Sequence, residues 1–364
     1  MLYRAEPHSD KNAAYSLGFR TPQEAELRTP IPVNLALSTL ILPAGEAAVA
    51  AAAHCLREGG LVAFPTETVY GLGADATNPE AIARLYQAKG RPAFNPLIAH
   101  VGDLEAAQRI AHFDAQAIAL AEAFWPGPLT LVLSRTEGCK VADLATAGLD
   151  TVAIRVPAHP IARDILRAFG GPVVAPSANL SGHVSPTTAA HVHSDLAGRI
   201  DLIVDGGAVA VGVESTIVGC FEAPMLLRPG GLPRQAIERV LGRTLVQPPD
   251  DADKDKDSSQ PLAPGMLASH YAPRTRVRLN ADTVQAGEAL LAFGPTAVPG
   301  VDAATTVMNL SARGDLKEAA ANLFGYLRVL DARGAHTIAV MPVPDHGLGE
   351  AINDRLRRAA IERD

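Results

Sequence analysis

Cysteine is almost missing from this chain: Cys55, Cys139 and Cys220 are its three thiols in 364 residues, and no two form a CxxC pair. That excludes a disulfide framework and a structural zinc finger, and it points to a reducing compartment. Aromatic residues are only 4% of the chain. The core must therefore be built from Ala, Val, Leu and Ile, and little is available to stack on nucleic-acid bases. A basic excess is also lacking, since the formal net charge is −7. Proteins that coat nucleic acid neutralise phosphate with Lys and Arg, so RNA binding is not the expected main task.

Long apolar runs are missing too. The alanine-rich stretch 47–53 is flanked by Glu46 and His54, and a membrane span needs about 20 apolar residues. No basic segment followed by an apolar one opens the chain, so the expectation is a cytoplasmic protein with no membrane partner. A GxxxxGK[ST] loop does not occur, which rules out a Walker-type ATP site, and Gly71 and Gly73 start a GxGxxG pattern that goes no further. His191 and His193, two apart in an expected helix, diverge and make poor metal ligands. The acidic residues show no pair with acid/base spacing.

What is present suits an ordinary globular protein of two domains, with 48% hydrophobic and 20% charged residues. Helical spacing covers 46–58 and stops at Gly59-Gly60, before a short buried strand at 61–64. Asn78-Pro79 reads as an N-cap with proline at the first helical position, opening a helix that ends at Gly90. Strands are expected at 129–134, 151–157, 172–176, 201–205, 215–219 and 225–229, with helices at 103–111, 114–123, 159–169 and 233–241. This alternation indicates an α/β domain of roughly 200 residues. Segment 246–265 is polar and rich in charge and proline, as linkers are. Beyond it, strands at 289–294 and 336–343 and amphipathic helices at 315–334 and 349–362 predict a second α/β domain of about 90 residues.

Six segments could carry chemistry. PTETVYGLG (65–73) places hydroxyls where a strand exits into a loop, suited either to a ligand or to capping its own turn. KGRPAFNPLIAH (89–100) sets Lys89 and Arg91 around Gly90, followed by Asn95 and His100. Two cations about a glycine suit a polyphosphate; the alternative is a helix C-terminus, but the cations continue into a polar loop instead of ending the helix. In TVAIRVP, alternation puts Val152, Ile154 and Val156 on one face and Thr151, Ala153 and Arg155 on the other. A mid-strand arginine facing inward requires an anion, either a ligand or a protein carboxylate. APSANLSGHVSPTT (175–188) can offer hydroxyls and backbone N–H groups to phosphate. VESTIVG (213–219) and LLRPGG (226–231) are weaker when taken singly.

Together and in order, PTETVYGLG, KGRP-x-x-NPL, FWPGPLTLVL, TVAIRVP, PSANLSG, ESTIVG and LRPGG resemble the YrdC-like family of threonylcarbamoyl-AMP synthases. SHYAP (269–273) and the second domain resemble the longer, two-domain form. The polar, irregular segment 1–37 falls outside the resemblance and is expected to be an N-terminal extension. The resemblance implies a twisted mixed-sheet catalytic domain with a central cleft over 38–245, a gate-like linker over 246–274 and a small Rossmann-like α/β domain over 275–364. It implies synthesis of threonylcarbamoyl-AMP from L-threonine, bicarbonate and ATP, with Mg2+ carried by ATP and a downstream tRNA threonylcarbamoyltransferase as consumer; direct tRNA binding would be weak.

Residue by residue, the resemblance places Thr68, His100, Arg155, Ser177 and Ser215 at L-threonine. Lys89, Arg91 and Asn95 would hold ATP phosphates. Thr151, Asn179, Thr187, Arg228 and Tyr271 would complete the nucleotide site, and Lys89, Arg91 and Arg155 would supply the positive charge for catalysis. Rival readings are a carbamoyl-transferring hydrogenase maturation factor, an RNA-binding protein and a threonine- or nucleotide-sensing module. The first needs CxxC zinc fingers and an acylphosphatase region that the sequence lacks.

Overall fold

The computed structural model describes residues 38–248, 271–295 and 298–361. The expected extension 1–37 and residues 249–270 of the expected linker lie outside the described residues.

Helix α1 (Glu46–Arg57) buries Ala48, Ala52, Ala53 and Leu56, a stripe at helical spacing. In α2 (Pro79–Lys89) the Asn78 side chain accepts hydrogen bonds from the backbone of Glu80 and Ala81, and Gly90 closes the helix in the left-handed conformation. Both signals were legible in the sequence, because cap and stop are local chemistry.

The strands β1 (Leu40–Pro43), β2 (Val62–Pro65), β3 (Tyr70–Asp75), β4 (Ile98–His100) and β5 (Leu129–Ser134) join β6 (Thr151–Arg155), β7 (Val173–Val174), β8 (Leu202–Asp205), β9 (Thr216–Gly219) and β10 (Met225–Arg228). They form one mixed sheet in the order β1-β8-β2-β3-β7-β4-β6-β5-β9-β10. Segment 70–75, read from the sequence as a loop exit, is a strand antiparallel to β2, with Tyr70 opposite Pro65 and Gly73 opposite Val62. Its glycines hid the alternation. Gly73 is required where it lies, since a Cβ there would stand 2.7 Å from the Phe64 ring.

Alternation sorts the sheet's two faces. Val62 and Phe64 pack with Leu56 of α1 and with Ile165 and Leu166 of α6 (Pro160–Phe169). Leu61 and Ala63 join the larger core, which also takes Leu131, Val152 and Ile154. The opposite sides of β4, β5, β6 and β9 carry a small cluster of Ile98, Val132, Ala153 and Ile217. That limited apolar floor marks the face on which the functional side chains stand.

Further along the chain, β11 (Arg276–Arg278), β12 (Glu288–Ala292), β13 (Val307–Asn309) and β14 (Thr337–Val340) form a second sheet, ordered β11-β14-β12-β13. All of its pairings are parallel, as in a Rossmann-like arrangement. Helices α9 (Leu316–Ala332) and α10 (Gly349–Ala359) accompany it. This part shares a core with the first: Val69, Val184 and Val213 pack with Ala320, Leu323, Phe324 and Leu327 of α9. Burying one valine contributes about 1.5–3 kcal/mol, so the three dock α9 firmly. The approach is close at Gly212, where φ is +81° and a Cβ would lie 2.3 Å from the Ala320 carbonyl oxygen.

No described helix is long and apolar enough to cross a membrane.

Candidate active site

Four strands deliver polar residues to the face floored by Ile98, Val132, Ala153 and Ile217. Two residues along from each floor position, on the same face, lie His100, Thr130, Arg155 and Ser215. His100 and Arg155 are direct register partners on the parallel strands β4 and β6. Thr130 and Ser215 share a hydroxyl–hydroxyl hydrogen bond of 2.8 Å. The site is thus a product of strand alternation repeated four times.

These residues border a cavity of about 40 Å³ whose lining includes Thr68, His100, Arg155, Ser177 and Ser215. Arg91, Arg228, Glu214 and Tyr271 also face it. Eight of the sequence-derived site residues therefore converge. Five do not line the cavity: Lys89, Asn95, Thr151, Asn179 and Thr187. Lys89 is buried, and its Nζ donates to the carbonyl oxygens of Ser177 and Asn179, each at 2.5 Å. Burial, with Arg91 nearby, holds its pKa well below the ordinary lysine value. Lys89 thereby staples the 177–179 turn against the end of α2. The Asn179 amide donates to the carbonyls of Leu180 and His183, and the Thr187 hydroxyl meets His191 Nδ1 at 3.3 Å. Thr151 is half-buried at the start of β6. The side chain of Asn95 is buried, and neither of its polar atoms has a partner among the described residues.

The anion that Arg155 requires is a protein carboxylate. Arg155 Nη2 donates to Glu67 Oε1 at 2.6 Å and Nε to the Gly127 carbonyl at 3.2 Å, while Glu67 Oε2 accepts from the Ala158 backbone at 2.9 Å. Burial pushes the Glu67 carboxyl up, but the Arg155 charge and hydrogen bond outweigh it and hold it below its usual value. The guanidinium is fixed on its Nε and Nη2 side, which leaves Nη1 for another acceptor. Sequence reasoning left this partner open because Glu67 lies 88 residues away.

His100 Nδ1 lies 3.1 Å from the Ile98 carbonyl oxygen. A carbonyl can only accept, so Nδ1 carries the proton and Nε2 is an acceptor. Burial and the Arg155 charge push the imidazole down to about 3, so it is neutral near pH 7. Arg91 is pushed down to about 10 by burial and remains charged; its Nη2 donates to the Pro96 carbonyl at 3.0 Å. Arg228 bonds the Ser215 carbonyl at 2.9 Å and the Ser215 hydroxyl at 3.2 Å.

Three residues escaped the sequence reading. Glu214 receives the Ser185 hydroxyl at 2.5 Å through Oε1 and Arg355 Nε at 2.8 Å through Oε2. Ser185 and Arg355 are distant in sequence, and no local pattern announces them. The result is a cavity lined by three guanidinium groups, a neutral imidazole acceptor and hydroxyls, a set of groups suited to carboxylate and phosphate oxygens.

Comparison with known proteins places the chain among its relatives. A family model described as "Telomere recombination", for Sua5, YciO and YrdC proteins, matches residues 54–230. The model of the threonylcarbamoyl-AMP synthase C-terminal domain matches residues 232–361. The chain is 45% identical to the threonylcarbamoyl-AMP synthase of Pyrococcus abyssi, over 85% of this chain and 93% of that one. It is 43% identical to that of Bacillus subtilis, over 86% and 92%. The crystal structure of P. abyssi Sua5 complexed with L-threonine superposes with a TM-score of 0.80 at 40% identity, over 88% of this chain and 98% of that one.

Proposed function

Because the chain belongs to the threonylcarbamoyl-AMP synthase family, carrying both the Sua5/YciO/YrdC region and the Sua5 C-terminal domain, we propose that it makes threonylcarbamoyl-AMP from L-threonine, bicarbonate and ATP, releasing pyrophosphate. The observation that carries this reading is the convergence of Arg91, Arg155 and Arg228 with the hydroxyls of Thr68, Ser177 and Ser215 around one cavity. It matches the needs of an amino acid carboxylate next to a triphosphate.

The roles follow from the hydrogen bonds. Arg155, aimed by Glu67, offers Nη1 to the threonine carboxylate. His100 Nε2 accepts an N–H from the threonine amine and cannot itself compete as a cation. Thr68 and Ser215 close around the side chain. The amine attacks the carbon of CO2 drawn from bicarbonate and loses a proton to give the carbamate. A carbamate oxygen then attacks the α-phosphorus of ATP, and the bond to the β-phosphate oxygen breaks with pyrophosphate as leaving group. Both reactants are anions, so the protein contributes position and positive charge, from Arg91, Arg155 and Arg228. Lys89 contributes indirectly, by holding the Ser177–Asn179 turn.

Both carboxylates near the cavity, Glu67 and Glu214, already engage both oxygens with protein donors. A Mg2+ ion would therefore arrive with ATP rather than sit on these carboxylates, and it would supply charge neutralisation when bound. The cavity volume of about 40 Å³ is far below the roughly 300–1,000 Å³ of small-molecule sites, so ATP enters only when lining side chains move. The downstream consumer is a tRNA threonylcarbamoyltransferase, and the site of use is the cytoplasm.

The test is pyrophosphate release from ATP by the full chain, with and without L-threonine and bicarbonate. Release that requires both supports the reading. Release that needs neither, or no release at all, refutes it.

A further inference from the structure

We propose that Arg355 of α10 is a positioning residue for the nucleotide: it holds Tyr271 over the cavity and ties that placement to the segments carrying Ser215 and Arg228. The proposal rests on the nucleotide reading above.

Tyr271 has a φ of +63°, a conformation that aromatic residues rarely adopt and keep only where the surroundings fix it. Two helices of the C-terminal part supply those surroundings. The Phe324 ring of α9 stacks on Tyr271 with centroids 5.6 Å apart and planes 24° apart. The Arg355 guanidinium stands 5.0 Å from the Tyr271 ring centroid, within cation–π range.

Arg355 is fully buried, and its other contacts lead to the site. Nε donates to Glu214 at 2.8 Å, and Glu214 immediately precedes Ser215. Nη1 donates to the Pro229 carbonyl at 3.0 Å, and Pro229 immediately follows Arg228; Nη1 also meets Asp354 at 2.5 Å. Nη2 is buried without an oxygen partner among the described residues. A buried guanidinium that forgoes hydrogen bonds on one nitrogen is placed for something other than hydrogen bonding, and the Tyr271 ring is what it stands beside. One side chain from the last helix thus joins three pieces of the cavity wall. Glu214 is anchored from the other side by Ser185, so the node cannot slide.

The consequence is selective. Arg155, His100 and Thr68 do not depend on Arg355, which reaches the threonine side only through Glu214 and Ser215, so threonine affinity should fall far less than ATP affinity, which follows the position of Tyr271. The test uses the full chain and measures ATP and threonine dissociation constants by calorimetry alongside pyrophosphate release. Arg355→Lys keeps a cation near Glu214 but loses the planar group beside the ring. We expect it to weaken ATP by roughly tenfold with a much smaller loss for threonine. In a Tyr271→Ala background the same substitution should cost clearly less ATP affinity than it does in the wild type, an outcome that a merely structural role would not produce. Phe324→Leu, which leaves the buried ion pairs intact, should repeat the ATP-selective effect at smaller size and serves if Arg355→Lys does not fold. Equal losses for both ligands, effects that multiply in the double variant, or no change in ATP affinity overturn the proposal. A wild-type chain that turns over normally isolates such a failure to Arg355; one that releases no pyrophosphate overturns the parent reading with it.

Discussion

Glu67→Gln tests how the threonine side of the site is built. The substitution keeps size and one acceptor oxygen but removes the charge facing Arg155. Both side chains are buried, with 4% of Arg155 and 13% of Glu67 exposed. Breaking a buried pair costs about 3–5 kcal/mol when one charge is left alone. The glutamine oxygen recovers a neutral–charged hydrogen bond, leaving a net loss of roughly 2–3 kcal/mol. The pH dependence has a definite sign. The folded carboxyl titrates below its ordinary value of 4.5, so its stabilisation is complete above about pH 4.5 and disappears as pH falls through the folded pKa. Urea unfolding of wild type and variant should therefore show a gap of roughly 2–3 kcal/mol at pH 7 that narrows in acid. Threonine affinity should fall about tenfold, because the guanidinium is no longer aimed. A gap below about 0.5 kcal/mol at pH 7, the range of an ordinary surface substitution, would refute the reasoning.

Three further outcomes follow from the geometry. His100 resists protonation in the folded chain but not in the unfolded one, so it lowers stability as pH drops below about 6.5. His100→Asn should shrink that acid-side loss, and a threonine KM profile with a His100-dependent inflection near neutrality would contradict the neutral imidazole. Gly212→Ala drives a Cβ against the Ala320 carbonyl from a left-handed backbone. It should cost at least about 2 kcal/mol and lower Tm by roughly 3 °C or more in a thermal melt, and an unchanged Tm would deny the close docking of α9. Asn78→Ala removes the two cap bonds of α2 and should cost about 1 kcal/mol by urea unfolding with turnover preserved; a drop in turnover would mean that α2 positions Lys89 more delicately than its burial indicates.

The sequence told most where the chemistry is local. The strand expected at 129–134 is β5 to the residue, and the helix expected from Asn78-Pro79 to Gly90 has that cap and that stop. The faces of TVAIRVP sort as alternation requires, with Val152 and Ile154 in the main core and Ala153 on the cavity floor. Short strands were missed where glycine or a polar flank breaks the pattern: β3 holds two glycines, and β4 is three residues leading to a buried histidine. The seven motifs carried the family and the residues that converge on the cavity. They could not show that Glu67 answers Arg155, or that Arg355 reaches Glu214 across 141 positions, because such pairings exist only once the sheet is assembled and α10 has docked.

The central claim is that this cavity joins threonine, an inorganic carbon and AMP. Incubating the chain with 13C-bicarbonate, L-threonine and ATP, then analysing the product by mass spectrometry and 13C NMR, tests it most directly. The account predicts one labelled carbon in a threonylcarbamoyl adenylate formed with pyrophosphate, and loss of that product by about 100-fold or more in Arg155→Ala. An adenylate without label, or labelled product at wild-type rate in Arg155→Ala, would contradict it.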